Sequence, residues 1–311
     1  MAMDMIGRRR KQKLMQRLYR NRYLWLLMLP GILYFLFFRY APMWGLIISF
    51  MDYRPYVGLF QSPWVGWANL ERFLNASAFQ NMFRNTLAFA GLNLLLFFPA
   101  PIILALMLNE VGRLGYKRTI QSLVYMPHFI SWVVVVSFVQ QFFNVDSGLV
   151  TLAIRSLSGQ KVNFLMSAQF FRPLIIIEMI WKETGWGTIL FLAALSNVDA
   201  QLYEAAKIDG ANRWHQLWVV TLPAIKTTVI TLFILRLGTF LDTGFEQIFL
   251  QLNAMNRSVG EVFDTYVYKA GIQQGDYSYA TTIGMFKSVF GLVLIVIANA
   301  VIKKTGEEGL Y

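Results

Sequence analysis

What most limits the folds open to this chain is a series of six long apolar runs, at about 23–50, 82–108, 119–143, 172–195, 227–250 and 281–302. A helix needs about 20 apolar residues to cross about 30 Å of hydrocarbon. Inside lipid, the backbone polar groups must also be satisfied within the protein. The runs therefore predict an all-α integral membrane protein with six transmembrane helices. Composition agrees: 56% of the 311 residues are hydrophobic and 14% are charged, against about 25% charged in a soluble domain. There is no cysteine, which excludes disulfide scaffolds, thiolate metal sites and cysteine nucleophiles. The first run follows a basic segment, as a signal peptide's would. It is longer than a secretory core, continues past Arg39 and has no small-residue cleavage site, so it reads as an uncleaved span.

The net charge of +11, from 28 Lys and Arg against 17 Asp and Glu, suits either a nucleic-acid binder or a membrane protein with basic cytoplasmic edges. Placement separates the two. With the N-terminus inside, the inner segments hold sixteen Lys and Arg and the outer ones eight, with the heaviest cluster in a basic arm over 1–22. That bias puts both termini in the cytoplasm and removes the case for nucleic acid. The arm is suited to anionic lipid headgroups.

The segment 196–226, between the fourth and fifth runs, is long for a bundle turn and has helical chemistry of its own. Asp199 can cap a helix whose apolar positions Leu202, Ala205, Ala206 and Ile208 lie on one side. Asp209 and Gly210 offer a stop, since glycine takes the positive φ that closes a helix. A second amphipathic segment with Trp214, Leu217 and Trp218 runs to Leu222-Pro223, where proline marks the start of the next span. Two short helices joined by a glycine turn are predicted, a docking element on the inner face.

Glu204-Ala205-Ala206, then Gly210, Val220 and Leu222-Pro223, resembles the EAA loop of permease subunits of bacterial ABC importers. Valine stands at 220 where the family usually has isoleucine, and the second proline often found shortly after is absent from 224–228. The stretches from Tyr125, Asp242 and Asp264 are similar to the carbohydrate-uptake branch, and within it to permeases for complex or acidic oligosaccharides of pectin, rhamnogalacturonan or alginate type. The resemblance implies a multi-pass subunit of the bacterial plasma membrane, working with two cytoplasmic ATPases, a second related permease and an extracytoplasmic binding protein that delivers the sugar. It also implies that Glu204, Ala205, Ala206, Asp209, Gly210, Leu222 and Pro223 couple the permease to the ATPases. The chain carries no phosphate-cradling G-x-x-x-x-G-K-[ST] motif. No catalytic or cofactor-binding residue is therefore assigned to it, and ATP and Mg are assigned to the ATPases.

Polar groups at membrane depth are the candidates for a sugar path, because an unpaired charge there is costly. They are Asn93, His128, Lys182, Glu183 and Arg236, with Asp242, Glu246 and Lys287 nearer the outer side; Trp181 and Trp186 offer faces for sugar rings. The alternative pairs Glu183 with Lys182 or Arg236 as an internal ion pair and leaves the tryptophans in packing or the interfacial belt. His128 reads as a helix-packing hydrogen-bond partner. Lys182, Arg236 and Lys287 together suit an anionic, uronate-bearing oligomer. The aromatic outer segments 51–79 and 251–279 suit either a binding-protein surface or an interfacial belt. His128 and His215 alone make no metal site. Two rival classes remain: a secondary sugar transporter with an ion site at Glu183, Asp242 or Glu246, and a membrane scaffold without a substrate.

Overall fold

The computed structural model describes residues 20–304; most of the basic arm expected over 1–22, and the C-terminal end, lie outside the described residues. Among the described residues the regular structure is helical, with one isolated bridge between Met51 and Trp64. Helix α1 (Arg22–Phe50) contains a π turn at Leu36–Tyr40 and ends in a 3-10 turn. The short α2 (Ala68–Leu74) leads to α3 (Phe79–Asn109), α4 (Leu114–Phe129), α5 (Trp132–Phe142) and α6 (Leu149–Ser158). Then come α7 (Ala168–Ser196), α8 (Ala200–Ile208) and α9 (Arg213–Gly238). The chain closes with α10 (Phe245–Gln251), α11 (Arg257–Gly260), α12 (Phe263–Tyr268) and α13 (Tyr277–Lys304).

Among the described residues, four helices, α1, α3, α9 and α13, are long and apolar enough to cross a bilayer, and the α4–α5 pair makes a fifth if its two arms form one span. Helix α7, where the fourth of six spans was expected, matches them in length at 29 residues but carries Glu178, Lys182 and Glu183 in its middle.

Three expected boundaries differ from those found. The run 119–143 is no straight span: it bends by 97° between Phe129 and Trp132. Pro127 lies in a 3-10 turn that ends α4, Ile130 is extended, and the Ser131 side chain accepts from Val134 N to begin α5. The run 227–250 is interrupted after Gly238, where the chain turns before α10. The second short helix expected in 196–226 is the first part of α9, continuous with the span. A π turn at Leu217–Thr221, in which Leu222 N–H reaches back to Leu217 O, absorbs the irregularity that Pro223 would impose on an α-helix.

Helix α7 is the axis of packing. Its N-terminal half joins Phe89 of α3, Ile248 of α10 and Val262 in one buried cluster through Phe171, Ile175 and Ile176. Its C-terminal half meets Ala105 of α3 and Ile225 of α9 through Phe191 and Leu195. Helix α4 crosses α7 at Gly185, where a Cβ would lie 1.9 Å from Val124 O, so only glycine permits this approach. A third cluster, around Phe73, Met82, Phe263 and Ile283, ties α2, α3 and α12 to α13. The first part of α1 stands apart, with no buried residue over Arg22–Phe35, while its last turn packs on α13, where Thr282 donates to Ser49 O at 3.2 Å.

Candidate functional site

The 196–226 loop is built by local chemistry. The Asp199 carboxylate accepts from Gln201 N at 2.9 Å and starts α8. At the other end Gly210 takes φ +80°, Gly210 N–H donates to Lys207 O at 3.0 Å and Ala211 N–H donates to Ala206 O at 2.8 Å. This is a Schellman closure. It needs a glycine four residues after Ala206, which is the spacing of the EAA-to-glycine pattern. Tyr203 Oη and Thr221 Oγ1, 3.0 Å apart, hold α8 against α9, and Arg213 reaches Glu110 at the end of α3 at 3.2 Å. No residue of α8 is buried. Glu204, Ala205, Asp209 and Gly210 are exposed and Ala206 is half-buried; Leu222 is half-buried and Pro223 exposed at the start of the regular part of α9. Apolar side chains of α8 are therefore exposed: Ile208 is 87% exposed and Leu202 is exposed too, as are Trp214 and Trp218 of α9.

At membrane depth the candidates separate into groups. The Lys182 ammonium donates to His128 O at 2.7 Å and to Glu183 Oε1 at 3.0 Å, while His128 Nδ1 and Glu183 Oε2 lie 2.7 Å apart. Because a carboxylate only accepts, this contact puts the imidazole proton on Nδ1. The Trp186 ring lies parallel to His128 with centroids 4.5 Å apart. Glu183 is thus paired with Lys182 and with the His128 ring. Arg236 is in neither pair: it makes no salt bridge among the described residues and rests over the Phe97 ring at 5.6 Å. Lys287 donates to Asp242 at 2.8 Å and also contacts Asp264. Two of the three cations proposed for an anionic sugar, Lys182 and Lys287, are thus already neutralised by carboxylates. Asn93 is buried in the π turn of α3 with Oδ1 unpartnered. Trp181 and Trp186 are about half exposed, and Glu246 is exposed in the first turn of α10.

Sequence reasoning passed over a second buried polar group. Glu178, 5% exposed, takes both amides of Gln247 and Gln251 on Oε2, at 2.8 and 2.7 Å, and fastens α10 to α7. Gln247 also donates to Ile175 O, and Asn256 donates to Gln251 O. A lone acid inside the apolar run 174–181 was the available signal; its two amide partners lie about 70 residues away, at positions 247 and 251. Glu178 also lines a cavity of about 480 Å³ between α5 and α7. Among the described residues no cluster of His, Asp or Glu is placed to hold a metal.

Several long apolar helices with charges paired between them, and a separately capped helix between two of them, define the class: an integral membrane component of a transport system. The chain belongs to the family of binding-protein-dependent transport system inner membrane components, which it matches over residues 98–306. It is 54% identical over 297 residues to the protein LplB of Bacillus subtilis strain 168, covering 96% of this chain and 93% of that one. It is 50% identical over 302 residues to YteP of the same organism, a polygalacturonan/rhamnogalacturonan transport system permease, with 97% and 94% covered. A chain in the crystal structure of a bacterial ABC transporter that imports the acidic polysaccharide alginate superposes with TM-score 0.86 at 37% identity, covering 94% of this chain and 99% of that one. A second alginate transporter structure, in complex with a periplasmic protein carrying an alginate pentasaccharide, gives TM-score 0.87 at 37% identity over 95% of this chain and 99% of that one.

Proposed function

We propose that this chain is a permease subunit of an ATP-driven importer of oligosaccharides, crossing the bacterial inner membrane six times with both ends in the cytoplasm. In this reading α7 is the sixth crossing. Its 29 residues span about 43 Å at 1.5 Å per residue, and its charges are paired within the protein, as lipid demands. A second, related permease covers the exposed flank of α1, and two cytoplasmic ATPases bind and hydrolyse Mg-ATP.

The observation that carries the proposal is the loop of α8 and the start of α9. It is rigidly capped, tied to a long helix, and exposes apolar side chains together with Glu204. Ala205 and Ala206 let a partner helix approach closely, and the Gly210 turn fixes the angle at which α8 leaves α9. Movement of docked ATPases would be transmitted directly to the α9 backbone. The names of the relatives support uronate-rich substrates, pectin-derived or alginate-like, handed over by an extracytoplasmic binding protein. Within the path, Trp181 and Trp186 offer ring faces, Arg236 a charge and Asn93 an amide. The ion-coupled alternative has little support, since Glu183 and Asp242 are occupied by lysines.

Reconstituted vesicles holding the full complex test the reading. Uptake of an oligogalacturonate should need ATP and the binding protein and should survive a protonophore. Glu204→Lys should insert normally yet lose uptake while ATP hydrolysis continues. Uptake abolished by the protonophore alone would favour ion coupling, and normal uptake by Glu204→Lys would remove the coupling role of α8.

A further inference from the structure

We propose that the break between α4 and α5 is a moving joint of the transport cycle, and that Lys182 and Glu183 of α7 are the positioning residues that set its resting angle. The proposal rests on the chain being a permease that alternates between conformations. A 97° bend within one apolar stretch leaves the end of one helix and the start of the next with unsatisfied backbone groups. Both are provided for. On the α5 side the Ser131 hydroxyl accepts from Val134 N at 3.4 Å. On the α4 side His128 O accepts from the Lys182 ammonium at 2.7 Å, a cation at a helix C-terminus, where the macrodipole favours it.

The grip on the two arms is unequal. The α4 arm is clamped: Glu183 holds the His128 ring at 2.7 Å, Trp186 stacks on it at 4.5 Å, and Gly185 lets the Val124 backbone press against α7. The α5 arm packs on α10, where Val135 and Val136 are buried; against α7 it is held near the joint by the Lys182 ammonium, 5.2 Å from the centre of the Trp132 ring, and by the packing of that ring. Beyond it α5 and α7 are separated by the cavity of about 480 Å³, lined by Val135, Phe138 and Phe142 on one side and Leu174, Glu178 and Trp181 on the other. It is an open recess lined by apolar side chains, so α5 can shift toward α7 without displacing a packed core. A capped break, one clamped arm, and open space beside the other give α5 a pivot at Ser131 and room to turn. Lys182 touches both arms, so any change in the angle must alter its contacts.

The chain contains no cysteine, so a spin-label pair reports the angle directly. Ser122→Cys on α4 and Gln140→Cys on α5, both exposed, are labelled in the full complex in lipid, and their separation is measured nucleotide-free and trapped with an ATP analogue. The separation should change between the two states by a helical turn or more, about 5 Å. Lys182→Met should broaden the nucleotide-free distribution and raise ATP hydrolysis without binding protein several-fold, and Lys182→Arg should restore both. An identical, narrow separation in both states overturns the joint, as does a Lys182→Met complex as sharply defined as its parent. If Lys182→Met fails to assemble, the parent's two states decide. Uptake measured in the same preparation keeps the ideas apart: static labels with active uptake sink the joint alone, whereas a parent complex without uptake sinks the permease reading.

Discussion

Gly210 does at one residue what the 196–226 loop requires. Its φ of +80° costs an L side chain roughly 1–2 kcal/mol, and the space beside it is empty, with nothing within 4 Å of a Cβ. A substitution there therefore acts through the backbone and not through a clash. Gly210→Val should reduce ATP-driven uptake about 5–30-fold, the population shift that such a penalty produces, with membrane insertion unchanged. Gly210→Asn, which tolerates the left-handed region, should retain most of the uptake; vesicle assays of the two side by side check this. Glu178 works differently, because its partners are buried. Replacing it with leucine takes one acceptor from each of the amides of Gln247, 1% exposed, and Gln251, at about 1–3 kcal/mol for each N–H left unsatisfied, although Gln247 keeps its bond to Ile175 O. Glu178→Leu should lower the thermal midpoint of the detergent-solubilised subunit by several degrees, and Glu178→Gln, which keeps one acceptor oxygen, by less. Equal midpoints for the two variants would contradict the amide clasp.

At the scale of elements, legibility in the sequence followed the range of the interactions. Helix α8 could be read because its cap, its stop and its spacing are local: Asp199, Ala206 and Gly210 lie within one helix length of each other. The bend at Ser131 was only partly legible: Pro127 and the Ser131 cap are local signals, but the ammonium that takes up His128 O comes from Lys182, 54 residues away. The continuity of α9 was hidden by Pro223, which in sequence signals a start and in the folded chain is accommodated by a π turn that ends two residues earlier, at Thr221. The pairing of Glu183 with Lys182 was visible as one of two options, while the Asp264 contact of Lys287 and the whole Glu178 group depended on tertiary neighbours. Helix crossings are equally non-local, and that of α4 over α7 is the most sensitive to change. A Cβ at Gly185 would meet the Val124 carbonyl oxygen and carbon at 1.9 and 2.5 Å, both backbone atoms that no rotamer change can move. Gly185→Val should force the two helices apart at about 1–3 kcal/mol or more and lower the yield of assembled subunit, measured by size-exclusion chromatography in detergent.

Across the whole molecule, the question is where a chain of net charge +11 offers positive potential to an acidic sugar. Eight of the 28 Lys and Arg lie in the sequence over 1–22. At depth the cations are largely cancelled: Lys182 by Glu183, and Lys287 by Asp242 and Asp264. Removing Lys287 would leave two carboxylates facing each other, so its loss should harm folding irrespective of substrate. Arg236 is different, a half-buried guanidinium seated on Phe97 with no salt bridge among the described residues. If the path discriminates for uronates, this is the side chain that does so. A hydrogen bond to a charged group is worth about 1.5–3 kcal/mol, or about 10–150-fold in an equilibrium constant. Arg236→Gln should therefore depress uptake of a trigalacturonate by at least tenfold more than uptake of a neutral trisaccharide of equal length, each delivered by a binding protein that accepts it. An equal fall for both sugars would place the choice between acidic and neutral cargo in the partner permease or the binding protein, and leave Arg236 a structural cation over Phe97.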